Sequence, residues 1–268
     1  MLRVGLLGVF RISGADNRIW SELGPAGRGL ASFLFAYSGQ RHRRERLADL
    51  FWPDLDAQRA RGALNSAVWR LRKLLAVLPE GEDGENLRIV GTEMVLNRSP
   101  AIDIDVVVLE EAAAIAFKQT AAPDGVDTLK QITTMLNRYE GPFLDGDDGD
   151  WILEERERLQ ALFVRSATLI ARRMGAAGLY HDAIGLARRA LRFDPYREEL
   201  VRILMVLLVL NERRGEAIQY YQVWSRSLKS TLDIAPLPAT RKLMDEIRGV
   251  QSSDAFEALG ARLTVPSG

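Results

Sequence analysis

"RGALNSAVWRLRKLL", residues 61–75, decides how the chain is read. It carries three arginines and a lysine, one tryptophan among them, and an aliphatic residue at nearly every helical return. On a helical wheel at about 100° per residue, Ala60, Ala63, Leu64, Ala67, Val68, Leu71, Leu74 and Leu75 share one broad side. Arg59, Gly62, Ser66, Trp69, Arg70 and Lys73 form the opposite stripe, with Arg61, Asn65 and Arg72 on a flank. Almost no acid lies between Ala57 and Val77, so the usual Glu–Lys pairing one turn apart is missing. A solvated basic face would account for the cations alone. It does not account for Trp69 on the polar side. The other reading is a helix that shows its cations to a polyanion: arginine can grip guanine with two hydrogen bonds, asparagine can read adenine, and lysine meets phosphate.

Working outward, the spacing predicts a helix from about Ala57 to Leu75, capped by Asp54 or Asp56. Before it, Arg43–Phe51 reads as a short helix closed by Trp52-Pro53-Asp54, and the stretch from Gly27 to Ser38-Gly39 as another. Residues 2–14 alternate apolar with small or basic residues and read as β. After the third helix, PEGEDGEN is an acidic, glycine-rich loop, and LRIVGTEMVLN is two short β runs around Gly91-Thr92. A β segment, three helices and a hairpin, with the third helix basic, is the winged form of the helix-turn-helix.

From Asp103 onward strand signals vanish. IDVVVLEEAAAIAFK, VDTLKQITTMLNRYEG and Ile152–Gly175 read as helices. The chain then repeats: GLYHDAIGLARRALRFDP aligns with RRGEAIQYYQVWSRSL, setting Ala183-Ile184 over Ala217-Ile218, an offset of 34 residues. Ala187 then meets Tyr221, Ala190 meets Trp224, and Leu169 meets Ile203. That is the tetratricopeptide period. Stacks of this kind offer a concave surface and have no inherent chemistry. The expected fold is therefore mainly α with a small β component: a winged helix-turn-helix domain over 1–98, an all-α tetratricopeptide-like repeat domain over 103–250, and a tail over 251–268, either extended or a last helix around Ala255–Leu263.

Composition supports two soluble domains. The chain has 268 residues, 47% of them hydrophobic and 27% charged. Its zero formal net charge hides an asymmetry, since residues 41–75 hold nine basic against four acidic side chains; a basic front half points to an anionic partner. There is no cysteine, so thiolate and disulfide chemistry are excluded. The start lacks a signal-peptide cleavage site and no apolar run is long enough to span a bilayer, so a cytoplasmic protein without a membrane partner is expected. His42 and His181 are the only histidines. DGDDGD (145–150) lacks the EF-hand order and reads as a turn with acids at a helix N-terminus. No phosphate-binding glycine loop, nucleophile elbow or zinc-protease motif occurs. Neither an enzyme nor a cofactor nor a metal is expected.

RRERLADLFWPD (43–54) followed by ARGALNSAVWRLRKLL (60–75) resembles the second and third helices of the antibiotic regulatory protein (SARP) family of bacterial activators. GPFLDGDDGDWILEERERL, LYHDAIGLARRALRFDPYREEL and APLPATRKLMDEI resemble the bacterial transcriptional activator domain that follows their winged domain. The resemblance covers roughly residues 2–248. It implies a sequence-specific activator that binds direct repeats in promoter DNA as side-by-side protomers, a homodimer on DNA, and contacts RNA polymerase to recruit it. The recognition helix then falls on Ala57–Leu75, with Arg59, Asn65, Ser66, Trp69, Arg70, Arg72 and Lys73 as DNA-contacting candidates. Arg70, Arg72 and Lys73 fit the family's Arg-Leu-Arg-Arg pattern with lysine last; Trp69 departs from it, and suits a thymine methyl, a sugar or a partner subunit. Arg43, Arg44 and Arg46 near the second helix would hold the DNA backbone, and Arg88 and Thr92 in the wing would touch phosphate or the minor groove. The loop of Pro53, Asp54, Leu55, Asp56 and Gln58 would lie near polymerase. The helical domain would stabilise the protomer pair or receive a regulatory input. The resemblance points to members without added ATPase and sensor domains. Two other readings stand beside it: a tetratricopeptide-like adaptor whose winged domain docks protein, and a regulator whose helical domain binds a small molecule.

Overall fold

The computed structural model describes residues 1–14, 20, 23–79, 84–118, 125–249 and 252–264. The acidic loop expected at 79–86 and the end of the tail fall partly outside these residues. The chain divides into two compact units, Met1–Leu109 with Arg138–Arg156, and Glu110–Asn137 with Glu157–Gly268.

The first unit begins with strands β1 (Leu2–Gly5) and β2 (Arg11–Ser13), paired antiparallel so that Val4 faces Ile12. Helix α1 (Gly24–Ala36) follows, with a proline in its first turn where no amide partner is lost. It starts three residues before the expected Gly27. Strand β3 (His42–Arg43) and helix α2 (Arg44–Phe51) come next, so Arg43, expected inside the second helix, belongs to a strand. Helix α3 spans Ala57–Leu75, the expected range, and the Asp56 carboxylate accepts the Arg59 amide at 2.9 Å as its cap. Strands β4 (Leu87–Val90) and β5 (Glu93–Leu96) form the hairpin. Gly91, at φ +60°, takes the left-handed turn position. β3 adds to β5, giving the order β3-β5-β4.

A strand lies where strand signals were expected to have ended: β6 (Ile102–Ile104) pairs parallel with β1 and completes a sheet ordered β2-β1-β6. Helix α4 (Asp105–Phe117) follows at once. The buried Asp105 carboxylate accepts the amides of Leu6 and Leu7, all at 2.9 Å. Burial pushes its pKa up, and the amide hydrogen bonds oppose that shift. Also in this unit, Trp151 packs at the edges of Phe33, Phe51 and Phe143, with ring centroids 5.2–6.1 Å away. The Arg156 guanidinium donates to the carbonyls of Phe143, Leu144 and Asp147, each at 3.0 Å. DGDDGD is thus a turn shaped from inside by Arg156, with Asp145, Asp147, Asp148 and Asp150 exposed.

The second unit is helical: α5 (Val126–Leu136), α6 (Asp150–Ala176, from Glu157 on in this unit), α7 (Tyr180–Leu191), α8 (Glu198–Leu210), α9 (Arg214–Leu232), α10 (Pro238–Gly249) and α11 (Ser253–Thr264). The starts of α7 and α9 are 34 residues apart, as the repeat requires. Ala183, Ala187, Ala190 and Ala217 are buried, where small side chains let helices approach, and Trp224 is buried as well. Helix α8 is buried along nearly its whole length and packs against α7, α9, α10 and α11. Gly175 on α6 lies where an added Cβ would stand 2.5 Å from Leu207 and 2.7 Å from Leu263. The expected tail therefore contains a packed helix, α11, with Leu259 and Leu263 buried.

Candidate nucleic-acid interface

Helix α3 is positioned by its apolar side. Ala60, Leu64, Ala67, Val68, Leu71, Leu74 and Leu75 are buried, and α1 and α2 pack against them. This leaves Arg59, Arg61, Asn65, Ser66, Trp69, Arg72 and Lys73 exposed and Arg70 half-exposed. Trp69 is 63% exposed, so it is not a core residue. The Lys73 ammonium sits 5.5 Å from the Trp69 ring centroid, an attractive cation–π arrangement that orders both side chains.

The cations of this face divide into two groups. Arg59 pairs with Asp56 at 3.4 Å and Arg61 with Glu45 at 2.7 Å. Arg72 is turned to the wing: its Nη2 meets Glu85 at 3.0 Å and its Nε donates to the Leu87 carbonyl at 3.3 Å. Arg44 donates to the Asn65 side-chain oxygen at 2.5 Å, and its amide donates to the Thr92 carbonyl at 2.9 Å. Ser66 returns its hydroxyl to the Gly62 carbonyl at 3.1 Å. Arg70 and Lys73, by contrast, meet no carboxylate among the described residues.

So the structure brings the α3 candidates onto one exposed face and ties Arg44 and Thr92 to the same neighbourhood. Arg43 is exposed on β3 and Arg88 on β4. Pro53, Asp54, Leu55, Asp56 and Gln58 are all exposed between α2 and α3. The partners Glu45 and Glu85 were not singled out from the sequence, because their pairing depends on tertiary placement. Asn86 is a further positioning residue: its side-chain amide donates to the Pro79 carbonyl at 3.3 Å at the base of the wing. His42, beside Phe33 at 4.9 Å, has its pKa lowered by burial and by the charge of Arg46, against a raising hydrogen bond that the imidazole donates to the Tyr37 main chain. Among the described residues no group of three or more His, Cys, Asp or Glu could hold a metal ion, and no helix is long and apolar enough to cross a membrane.

Residues 104–248 match the family described as the bacterial transcriptional activator domain. The chain belongs to that family. Within it, the order of a winged helix-turn-helix followed by a tetratricopeptide-like helical domain is the SARP arrangement. The chain is 26% identical to regulatory protein AfsR of Streptomyces griseus over 92% of its own length and 24% of that protein's. It is 23% identical to transcriptional regulatory protein MoaR1 of Mycobacterium tuberculosis over 83% of its length and 72% of that protein's. The chain thus spans about a quarter of the length of the AfsR relatives. A solved structure of Mycobacterium tuberculosis EmbR, in complex with a low affinity phosphopeptide, shares its fold with a TM-score of 0.68 at 22% identity, over 98% of this chain and 69% of that one.

Proposed function

We propose that this chain is a transcriptional activator that binds promoter DNA through α3 and recruits RNA polymerase. Residues 1–98 form the DNA-binding domain and 103–250 the activator domain. The observation that carries the reading is the outward face of α3, where Trp69 is exposed and Arg70 and Lys73 meet no carboxylate among the described residues, on a helix of the width a major groove admits. Family membership supports it. Arg70 reads a base edge; Lys73, its ammonium beside the Trp69 ring, neutralises phosphate. Arg43, Arg88 and Thr92 hold the backbone on either side, and Arg59, Asn65 and Ser66 fill in the contact surface. Two protomers bind side by side on direct repeats, and the loop of Pro53, Asp54, Leu55, Asp56 and Gln58 meets polymerase. The work is done in the cytoplasm and involves no catalysis and no cofactor.

The test is an electrophoretic shift on the chain's own upstream DNA and on random DNA, repeated across salt concentrations. Specific binding should exceed random binding, and Lys73→Ala should reduce the slope of log affinity against log salt by about one ion while weakening both DNAs alike. Equal affinity for both DNAs would overturn the reading.

A further inference from the structure

Helices α5 and α7 of the second unit, with Met174 of α6 behind them, border an open cavity of about 550 Å³, a size common among small-molecule clefts. Leu186 reaches its floor, and Met174 lies buried beneath it. Its rim is cationic: Lys130, Arg189 and Arg192 line it together with His181, against one carboxylate, Asp182. Lys130, His181 and Arg192 meet no carboxylate among the described residues. Arg189 is fixed in place, donating to the Asn137 carbonyl at 2.8 Å. The macrodipole of α7 suits Arg189 and Arg192 at its C-terminal end. It does not account for Lys130, which lies in the middle of another helix. A surface ridge of cations would ordinarily be laced with acids, as elsewhere in this unit, where Arg158 meets Glu110 at 2.7 Å and Arg172 meets Glu199 at 2.6 Å.

We propose that this cavity binds a small phosphorylated molecule with an apolar ring or chain. The phosphate sits among Lys130, Arg189 and Arg192, where arginine supplies paired donors and lysine a point charge. The apolar body lies over Leu186 and the side-chain carbons of Thr133 and Lys130 that line the site, and the exposed Asn137 side-chain amide reaches a hydroxyl or ring nitrogen. Binding here is independent of the DNA-binding reading, since every group named lies in the second unit.

The experiment is a thermal-shift and calorimetric titration of the full chain, without DNA, using inorganic pyrophosphate, adenosine monophosphate and adenosine. Pyrophosphate and adenosine monophosphate should raise Tm, because a ligand that binds only the folded state stabilises it. Adenosine monophosphate should bind more tightly than pyrophosphate, and adenosine should have no effect. The exposed pair Lys130→Ala with Arg192→Ala should fold as the parent does and weaken adenosine monophosphate binding by about tenfold or more, as loss of charge-assisted bonds requires. Asp182→Asn should tighten it. Absence of any shift, an unchanged affinity in the double variant, or equal binding by a short polyglutamate peptide would overturn the proposal.

Discussion

Helices α3 and α8 have the same period and opposite surroundings. α8 is covered by four helices and buries nine residues between Leu200 and Val209. α3 is covered on one side only, and its other side ends in an exposed indole, a half-exposed guanidinium and an ammonium. A helix enclosed all round can only hold its neighbours together. One covered by half has surface left for a partner, and the identity of that surface carries the functional reading. The contrast is sharpest in the charges: in the second unit Arg158, Arg172, Arg188, Arg213 and Arg262 each meet a glutamate, while Arg70 and Lys73 of α3 meet no carboxylate among the described residues.

Perturbing α8 should break the fold and spare recognition. Leu204 is fully buried, and Leu204→Ala should cost about 2–5 kcal/mol of stability, seen as a lower Tm, with DNA affinity per folded molecule little changed. Arg70→Ala should do the reverse. It should weaken specific DNA binding by about 1–3 kcal/mol and leave Tm nearly where it was. Arg72→Ala sharpens the comparison within α3, because its guanidinium is already bonded to Glu85 and Leu87. Its effect on specific binding should be smaller than that of Arg70→Ala; a larger one would mean that Arg72 leaves the wing when DNA arrives. Asp56→Ala removes the helix cap and should cost about 1 kcal/mol, measurable by denaturant unfolding.

The smallest effect concerns His42. Its imidazole is held below the ordinary value of about 6.5, so the folded unit keeps it neutral and the unfolded chain protonates it more readily. The stability that goes with the neutral form is whole above that ordinary value and is lost as pH falls through the lowered folded one. His42→Phe should make Tm less sensitive to acidification than in the parent. An unchanged acid sensitivity would show that the imidazole is solvated.

The bounds of α3 were legible because a capping aspartate opens it and neither proline nor an unfavourable run interrupts it before Leu75. The 34-residue repeat was legible because its alanines recur at fixed offsets. Strands β3 and β6 were not, since two or three residues carry no period to read. Nor was the division among the α3 cations. Arg70 and Arg72 stand two residues apart in a similar sequence setting, yet among the described residues Arg72 alone of the two finds an acid, because the wing returns Glu85 to it. The aromatic nest around Trp151 was hidden for the same reason: Phe33 and Phe51 lie about a hundred residues earlier in the chain.

Arg156 reaches three main-chain oxygens of the turn at 143–147, and this separates the turn's shape from its chemistry. A bend held through carbonyls is indifferent to the side chains it carries, so Asp145, Asp147 and Asp148 are free to drift toward neutral or even basic residues without loss of form. The guanidinium has no such latitude: a lysine ammonium, a single point on a flexible stem, cannot span the same three acceptors.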